Sequence, residues 1–290
     1  MTTAVRETIT NKDAVALLRP NPAAKVRRIS GVRVYDVGQG DAICVLDQNG
    51  NPFLQIDYGG VQGSPFSAPG DAEACMPLSG MPLLLLSHWD KDHWWTAKKN
   101  AASETIDWLA PRQTTSPAAV RFSMNQKNIR CIPERLVGRR LVIKCLNGDY
   151  VMFEKLAKMP HPQEEWEDCN ATGVAFSVVK ASSHQVILLP GDAPFHRVPH
   201  YDHLRSEDVE LRGVVAFHHG SGVGWTRAAS TFLSTWNRYA AEVDVVFSYA
   251  EGNSYGHPNV ANYFSLPANW TATRTPELRD NGQTYKDILF

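Results

Sequence analysis

No stretch of this 290-residue chain approaches the roughly 18 consecutive apolar residues that a bilayer-spanning helix needs. Residues 1–19 hold no apolar core of signal-peptide length. Both absences lead to the expectation of a cytoplasmic protein with no membrane partner. An excess of charge is lacking too. Lys and Arg number 29 against 30 Asp and Glu, for a net charge of −1. A global basic field that would gather nucleic acid is therefore excluded, although a local basic patch is not. Cysteine is scarce and badly spaced for a framework. Cys44, Cys75, Cys131, Cys145 and Cys169 are odd in number and contain no C-x-x-C pair. That argues against a disulfide scaffold and a zinc ribbon, and fits a reducing compartment. Internal repeats and low-complexity tracts are missing as well.

What is present suits a globular protein: 43% hydrophobic and 10% aromatic residues, in a chain long enough for one large domain. Residues 1–30 read as a polar N-terminal extension packed on the body, with a short helical pattern at Asp13–Leu18 that Pro20 and Pro22 end. Residues 31–290 read as a single domain. Its strands come in two groups. Val32–Tyr35, Ile43–Leu46, Phe53–Ile56 and Leu83–Leu86 form the first. Leu141–Cys145, Tyr150–Phe153, Val174–Lys180, Gln185–Leu189, Val214–Phe217 and Asp244–Ser248 form the second, a reprise of the first. Helical patterns lie at Asp71–Met76, His93–Asn100, His196–Leu204 and Trp225–Tyr239, and Ala157–Cys169 reads as a surface loop. The tail after Pro267 reads as mostly irregular. Two sheets between helical layers are the expected architecture.

The chemistry is concentrated where strands end. Directly after the apolar run Leu83–Leu86 comes Ser87-His88-Trp89-Asp90-Lys91-Asp92-His93, four potential ligands within six residues. Two carboxylates and two imidazoles this close repel one another or stay heavily hydrated unless positive charge sits between them, and one or two divalent cations supply it most simply. Other polar clusters follow the same grammar. They are Asp36-Val37-Gly38-Gln39-Gly40-Asp41, whose glycines permit a tight turn, and Ile56-Asp57-Tyr58-Gly59-Gly60. Leu189-Pro190-Gly191-Asp192, His218-His219-Gly220-Ser221 and Asn253-Ser254-Tyr255-Gly256-His257-Pro258 complete the set. Asp57 is read as a hydrogen-bond acceptor for a neighbouring loop rather than as a catalytic group. Histidines and aspartates at the ends of separate strands can converge on one edge of a sandwich, where metal-assisted hydrolysis is built.

In this order the motifs resemble the metallo-β-lactamase superfamily, whose signature is H-x-H-x-D-H after an apolar strand. Asp90 stands where that signature has its second histidine, a departure shared with the hydrolase domain of ComEC-type competence proteins and their free-standing relatives. The resemblance covers residues 31–262 in six motifs. It implies an α/β fold: an αββα four-layer sandwich of two mixed β-sheets flanked by helices. It also implies two divalent metal ions, Zn²⁺ or Mn²⁺. His88 and Asp90 would bind one and Asp92 and His93 the other, Asp192 would bridge, and His218 or His219 would complete the site. Asn170 stands near the place of a further ligand, as a weak ligand or a holder of water, with His184 a weaker substitute. The membrane helices of the competence proteins are absent, so a transport role does not carry over.

The activity this implies is that of a metal-dependent hydrolase, a phosphodiesterase or nuclease using metal-bound hydroxide, with a nucleic acid or nucleotide as substrate. Asp92 and Asp192 would orient the attacking group, and His257 would protonate the leaving oxygen or hold the phosphate. Ser221, His219 and Asn170 would contact substrate. Trp89, Trp94 and Trp95 would narrow the pocket or wall it for stacking. The alternatives are hydrolysis of another ester, a lactone or a β-lactam, or a non-catalytic partner protein that keeps the fold. The resemblance also allows a protein partner encoded nearby. The sequence specifies neither the natural substrate nor the oligomeric state.

Overall fold

The computed structural model describes residues 27–290, apart from 67, 69, 161, 164, 166, 225, 237–241 and 260–265. The helical pattern at 13–18 and the last turn of the 225–239 pattern lie outside the described residues. Among the described residues fourteen strands form two seven-stranded sheets. The first contains β1 (Ile29–Tyr35), β2 (Ala42–Asp47), β3 (Pro52–Tyr58), β4 (Leu84–Leu85), β5 (Trp108–Pro111), β6 (Ile129–Ile132) and β14 (Tyr285–Leu289), in the order β14-β1-β2-β3-β4-β5-β6. The second contains β7 (Arg140–Lys144), β8 (Tyr150–Lys155), β9 (Val174–Lys180), β10 (Gln185–Leu189), β11 (Glu210–Val215), β12 (Val243–Phe247) and β13 (Trp270–Arg274), in sequence order. The helices are α1 (Asp71–Cys75), α2 (Pro117–Asn125), α3 (Cys169–Thr172), α4 (His200–Ser206), α5 (Arg227–Ser234) and α6 (Thr275–Asp280). None among the described residues is long and apolar enough to cross a membrane.

The two sheets share one plan. Each has three antiparallel pairings followed by three parallel ones: β14 through β3 and then β3 through β6 in the first, β7 through β10 and then β10 through β13 in the second. Both sheets are therefore mixed. Parallel strands need both faces covered, which is why Leu83–Leu86 and Val243–Phe247 read as nearly continuous apolar runs. The inward faces meet through Val32, Val34, Val45, Ile56, Phe176, Val178, Ile187 and Val246. Outward faces bury Trp89, Trp94, Trp108 and Phe122 over the first sheet, and Tyr201, Leu204, Phe217 and Leu233 over the second. Helix, sheet, sheet, helix is thus the layer order, as the sequence led us to expect.

Some expectations need correction. The tail after Pro267 is not irregular. It forms β13, α6 and β14, and β14 crosses back to pair with β1 from Gly31↔Leu289 to Tyr35↔Tyr285. Arg33 fixes that register by gripping Asp287 at 2.7 Å with its guanidinium 3.7 Å from the Tyr285 ring centroid. Strands β5 and β6 and helix α2 lie in a region whose sequence shows no strand pattern. The helix expected at His93–Asn100 is a succession of 3₁₀ turns, Lys91–His93, Trp95–Lys99 and Ala101–Glu104. Strand β11 ends at Val215, and Phe217–Gly220 is a tight turn instead of strand. All five cysteines are free, as read.

Candidate metal centre

The parallel half of each sheet delivers polar loops to one edge. Loops after β3, β4 and β5 of the first sheet and after β10, β11 and β12 of the second meet there, joined by Asp41 before β2 and by α3 before β9. Close backbone approach makes this possible. The carbonyl of Asp92 lies where a Cβ on Gly40 or Gly59 would sit, 1.9 and 1.7 Å from the two ideal positions. It also accepts a hydrogen bond from the Gly60 amide at 3.1 Å. Only glycine admits such contact, so the glycines of the first two motifs seat the His88–His93 loop.

Asp192 sits at the centre, 3% exposed. Its Oδ2 lies 3.6 Å from His88 Nε2 and 3.4 Å from His218 Nε2. Its Oδ1 lies 3.3 Å from His93 Nε2 and 3.2 Å from His219 Nε2. Asp90 Oδ2 is 3.8 Å from His88 Nε2. Asp92 reaches both rings of the other pair, 3.3 Å from His219 Nε2 and 4.0 Å from His93 Nε2. His88 and His218 approach one oxygen of Asp192, with Asp90 beside His88. Asp92, His93 and His219 form with Asp192 a second set, whose ligand atoms all lie within 4.8 Å of one another. Both the His218 and the His219 rings reach Asp192, each at a different carboxylate oxygen. Adjacent residues achieve this through left-handed backbone at both, φ 46° and 52°, an uncommon conformation for side-chain-bearing residues that clusters at functional sites.

Two buried carboxylates stand behind the second set. Asp57 Oδ2 lies 2.7 Å from His93 Nδ1 and accepts from the Ser87 hydroxyl at 2.6 Å, while Oδ1 accepts the Ser87 amide at 2.7 Å. Asp41 Oδ1 faces His219 Nδ1 at 3.5 Å. Asp57 holds the His93 ring so that Nε2 points inward, the usual arrangement behind a ligating histidine, whereas Asp41 faces His219 without closing a hydrogen bond, since both its carboxylate oxygens and His219 Nδ1 are buried without one. Asp57 serves a neighbouring loop, as read from the sequence. Asp41 was not singled out, because a carboxylate in a hairpin turn gives no sign of which ring it will meet. Gln113 ties the loop to α3. Its Oε1 accepts the Trp89 amide at 3.2 Å, and its Nε2 donates to Cys169 O at 2.8 Å and Thr172 Oγ1 at 2.7 Å.

The electrostatics call for positive charge. Burial opposes ionisation of Asp192, but the His218, His219 and His93 rings outweigh it and hold the carboxyl well below the usual range. Asp92 is likewise held low against burial, by His219 and His93. Burial also opposes charge on His93 and His219, yet Asp192 with Asp57 or Asp41 raises both well above an ordinary histidine. His88 is pushed the other way, to about 3, by burial and the His93 ring. Buried carboxylates that draw protons onto imidazoles are a donor set suited to cations. The orphaned atoms agree: His88 Nε2, His93 Nε2, His219 Nε2 and Asp192 Oδ1 are buried with no hydrogen-bond partner. In native interiors such atoms are rare and ask for a partner.

Above the cluster opens a cavity of about 540 Å³, lined by Gln39, Val61, Lys91, Asn170, Tyr255 and His257 together with Asp90, Asp92, Asp192 and His218. Asn170, on α3, has a buried Oδ1 without a partner. The His257 ring lies 5.0 Å from that of His218, and Tyr255 stacks on it at 6.0 Å. Burial and the His218 and His219 rings hold His257 down to about 4.

Other expected site residues lie elsewhere. His219 is buried among the carboxylates of Asp41, Asp92 and Asp192. Ser221 is buried too. Its Oγ accepts the Gly224 amide at 2.9 Å and its own amide donates to His218 O at 2.7 Å, so it closes the turn that holds the histidines. Trp89 and Trp94 form no pocket wall. They pack in the outer core, with Nε1 donating to Pro111 O and Trp89 O, and Trp94 stacks on Phe122 at 4.4 Å. Trp95 is half-buried under the ammonium groups of Lys91 and Lys98. His184 sits in the β9–β10 turn, at the opposite end of the strand that leads to Asp192.

No protein-family model matches the chain, and no curated protein does. Among solved structures it is similar to YhfI, a metallo-beta-lactamase fold protein from Bacillus subtilis, at 10% identity and a TM-score of 0.49, covering 84% of this chain and 96% of that one. It is similar to a diphosphatase of the PhnP family at 11% identity and a TM-score of 0.42, covering 83% and 94%. Zn²⁺-bound PqqB from Methylobacterium extorquens is similar at 13% identity and a TM-score of 0.42, covering 81% and 85%.

Proposed function

We propose that this chain is a cytoplasmic, metal-dependent phosphodiesterase of the ComEC-like branch, with two divalent cations held in two donor sets that share Asp192. The observation that carries the proposal is the convergence at one carboxylate of four buried ligand atoms that close no hydrogen bond: His88 Nε2 on one side, His93 Nε2 and His219 Nε2 on the other, and Asp192 Oδ1 itself. The first set is His88, Asp90, His218 and Asp192. The second is Asp92, His93, His219 and Asp192. Cations bound there would supply Lewis acidity toward phosphoryl oxygens and a water acidic enough to act near neutral pH. Three carboxylates among the donors make the set harder than an all-histidine site, which suits Mn²⁺ and also accommodates Zn²⁺.

The chain's own residues do the rest. Asp57 fixes the His93 ring, and Asp41 sets negative charge beside the His219 ring. Asn170, which lines the cavity and has a buried Oδ1 without a hydrogen-bond partner, positions a water or a substrate donor. His257, neutral in this setting, holds a phosphoryl oxygen or the leaving group through its ring N–H. Tyr255 offers a flat face at the mouth for an aromatic or nucleobase leaving group. Hydrolysis of bis-p-nitrophenyl phosphate with and without added Mn²⁺ or Zn²⁺ tests the reading. Metal-dependent turnover that Asp92→Ala abolishes without unfolding the chain is the expected result. Full turnover by that variant, or metal binding with turnover only of a lactone or a thioester, overturns it.

A further inference from the structure

The charge that nearly cancels over the whole chain is distributed unevenly along it. Residues 121–144 hold seven basic side chains and one acidic one, Glu134, giving +6 in a chain whose total is −1. Glu134 does not neutralise this surface, because its carboxylate lies 3.6 Å from the buried Lys155 ammonium. Arg121, Lys127, Arg139, Arg140 and Lys144 are exposed and Arg130 is half-exposed. Among the described residues none of these six forms an ion pair, whereas Arg33, Arg212 and Arg279 elsewhere each hold a carboxylate.

Topology gathers these residues. Lys127, Arg130, Arg139, Arg140 and Lys144 flank or lie on β6 and β7, the edge strands of the two sheets, joined through the turn Glu134–Leu136 and so on the same side of the sandwich, while Arg121 lies on α2 just before β6. The stripe also has a direction. Strand β6 runs parallel to β5, and β5 ends beside Gln113, which grips α3. Arg140 pairs with Glu154 just before β8 reaches Leu156, whose amide bonds Gly173 behind α3. Lys127 and Lys144 therefore mark the far end, and Arg139 and Arg140 the end that faces the metal centre.

We infer that the β6–β7 edge is a binding surface for the sugar-phosphate backbone of a single-stranded nucleic acid, which it leads toward the metal centre. Unpaired guanidinium groups suit phosphates through forked hydrogen bonds. A five-residue strand at ~3.3 Å per residue offers ~15 Å of track, enough for a few nucleotides. The choice of nucleic acid over an acidic protein rests on the phosphodiesterase reading; the basic surface itself does not.

The test is fluorescence anisotropy of a labelled, cleavage-resistant phosphorothioate oligothymidylate on the metal-loaded full chain across a salt series. Binding that weakens with salt is expected. The double variant Arg139→Glu/Arg140→Glu should bind at least ~10-fold more weakly, with the slope of log K against log salt reduced by at least ~1.4, at ~0.7 per lost phosphate contact. Its melting temperature and bis-p-nitrophenyl phosphate turnover should be unchanged. Unaltered oligonucleotide binding by that variant overturns the inference, and so does displacement of the oligonucleotide by polyglutamate at equal charge. Salt-dependent binding by a wild-type chain that hydrolyses no phosphodiester would sink the proposed activity and leave the surface standing.

Discussion

Two buried histidine clusters in this protein are built in opposite ways. In the second sheet, His200 on α4 donates and accepts to completion: Nε2 lies 2.9 Å from Ser177 Oγ and Nδ1 3.2 Å from Glu154 Oε2. That trio is a serine, a histidine and a carboxylate in line, but all three side chains are buried and no ring nitrogen is left over. At the sheet edge, the rings of His88, His93 and His219 each leave a buried nitrogen without a partner, around a carboxylate in the same condition. A closed network stabilises a fold, because each polar atom recovers in the interior what it lost in water. An open network costs stability, and it persists where a ligand completes it. Both clusters set imidazole against carboxylate, so the difference lies in which atoms are left over.

The largest expected effect breaks the open cluster at its centre. Asp192→Asn should reduce bound metal to one equivalent or less and lower phosphodiester turnover beyond the ~10–100-fold typical of losing a partner behind a ligand. Elemental analysis and initial rates check it. Next comes that outer shell: Asp57→Ala frees the His93 ring and should weaken metal affinity or turnover by ~10–100-fold, read by metal titration. The same two measurements on a His200→Ala variant should show no change. In that variant Glu154 loses a buried partner, and unfolding by urea should become easier by ~1–3 kcal/mol.

The smallest effect is a pH dependence of the closed cluster. Burial holds His200 below the ordinary histidine value, even against the pull of Glu154. The unfolded chain therefore takes up a proton near pH 6.5 that the folded chain refuses. Stability from the neutral ring is complete above about 6.5 and declines as pH falls from there toward the folded value, with a slope of at most ~1.4 kcal/mol per pH unit. Urea melts of wild type and His200→Gln at a series of pH values between 7 and 5 check this, and the variant should lack that part of the slope.

The sequence showed the site more clearly than the fold around it. Ligand-bearing turns follow apolar runs such as Leu83–Leu86 and Gln185–Leu189, so their positions at strand ends were readable locally. What stayed hidden was non-local. Strand β14 buries Ile288 alone of its five residues and owes its pairing to β1, some 250 residues earlier in the chain. Strand β13 is an edge strand with most of its residues exposed, and β5 and β6 are four residues each, too short to show a period. Inside the site, the double histidine was visible but its division of labour was not, since it depends on left-handed backbone at both residues. The tryptophans of the motif misled for a related reason. Trp89 and Trp94, five positions apart, pack into the outer core from the same loop that carries the ligands.

The central claim is that the open cluster is completed by metal. Elemental analysis of the purified wild-type chain beside Asp192→Asn, after equilibration with Mn²⁺ or Zn²⁺ and removal of free ion, tests it most directly. The account predicts about two equivalents per chain in the wild type, as in other paired-cation hydrolytic sites, and one or none in the variant. No retained metal in the wild type under either ion, or equal retention in both proteins, would contradict it.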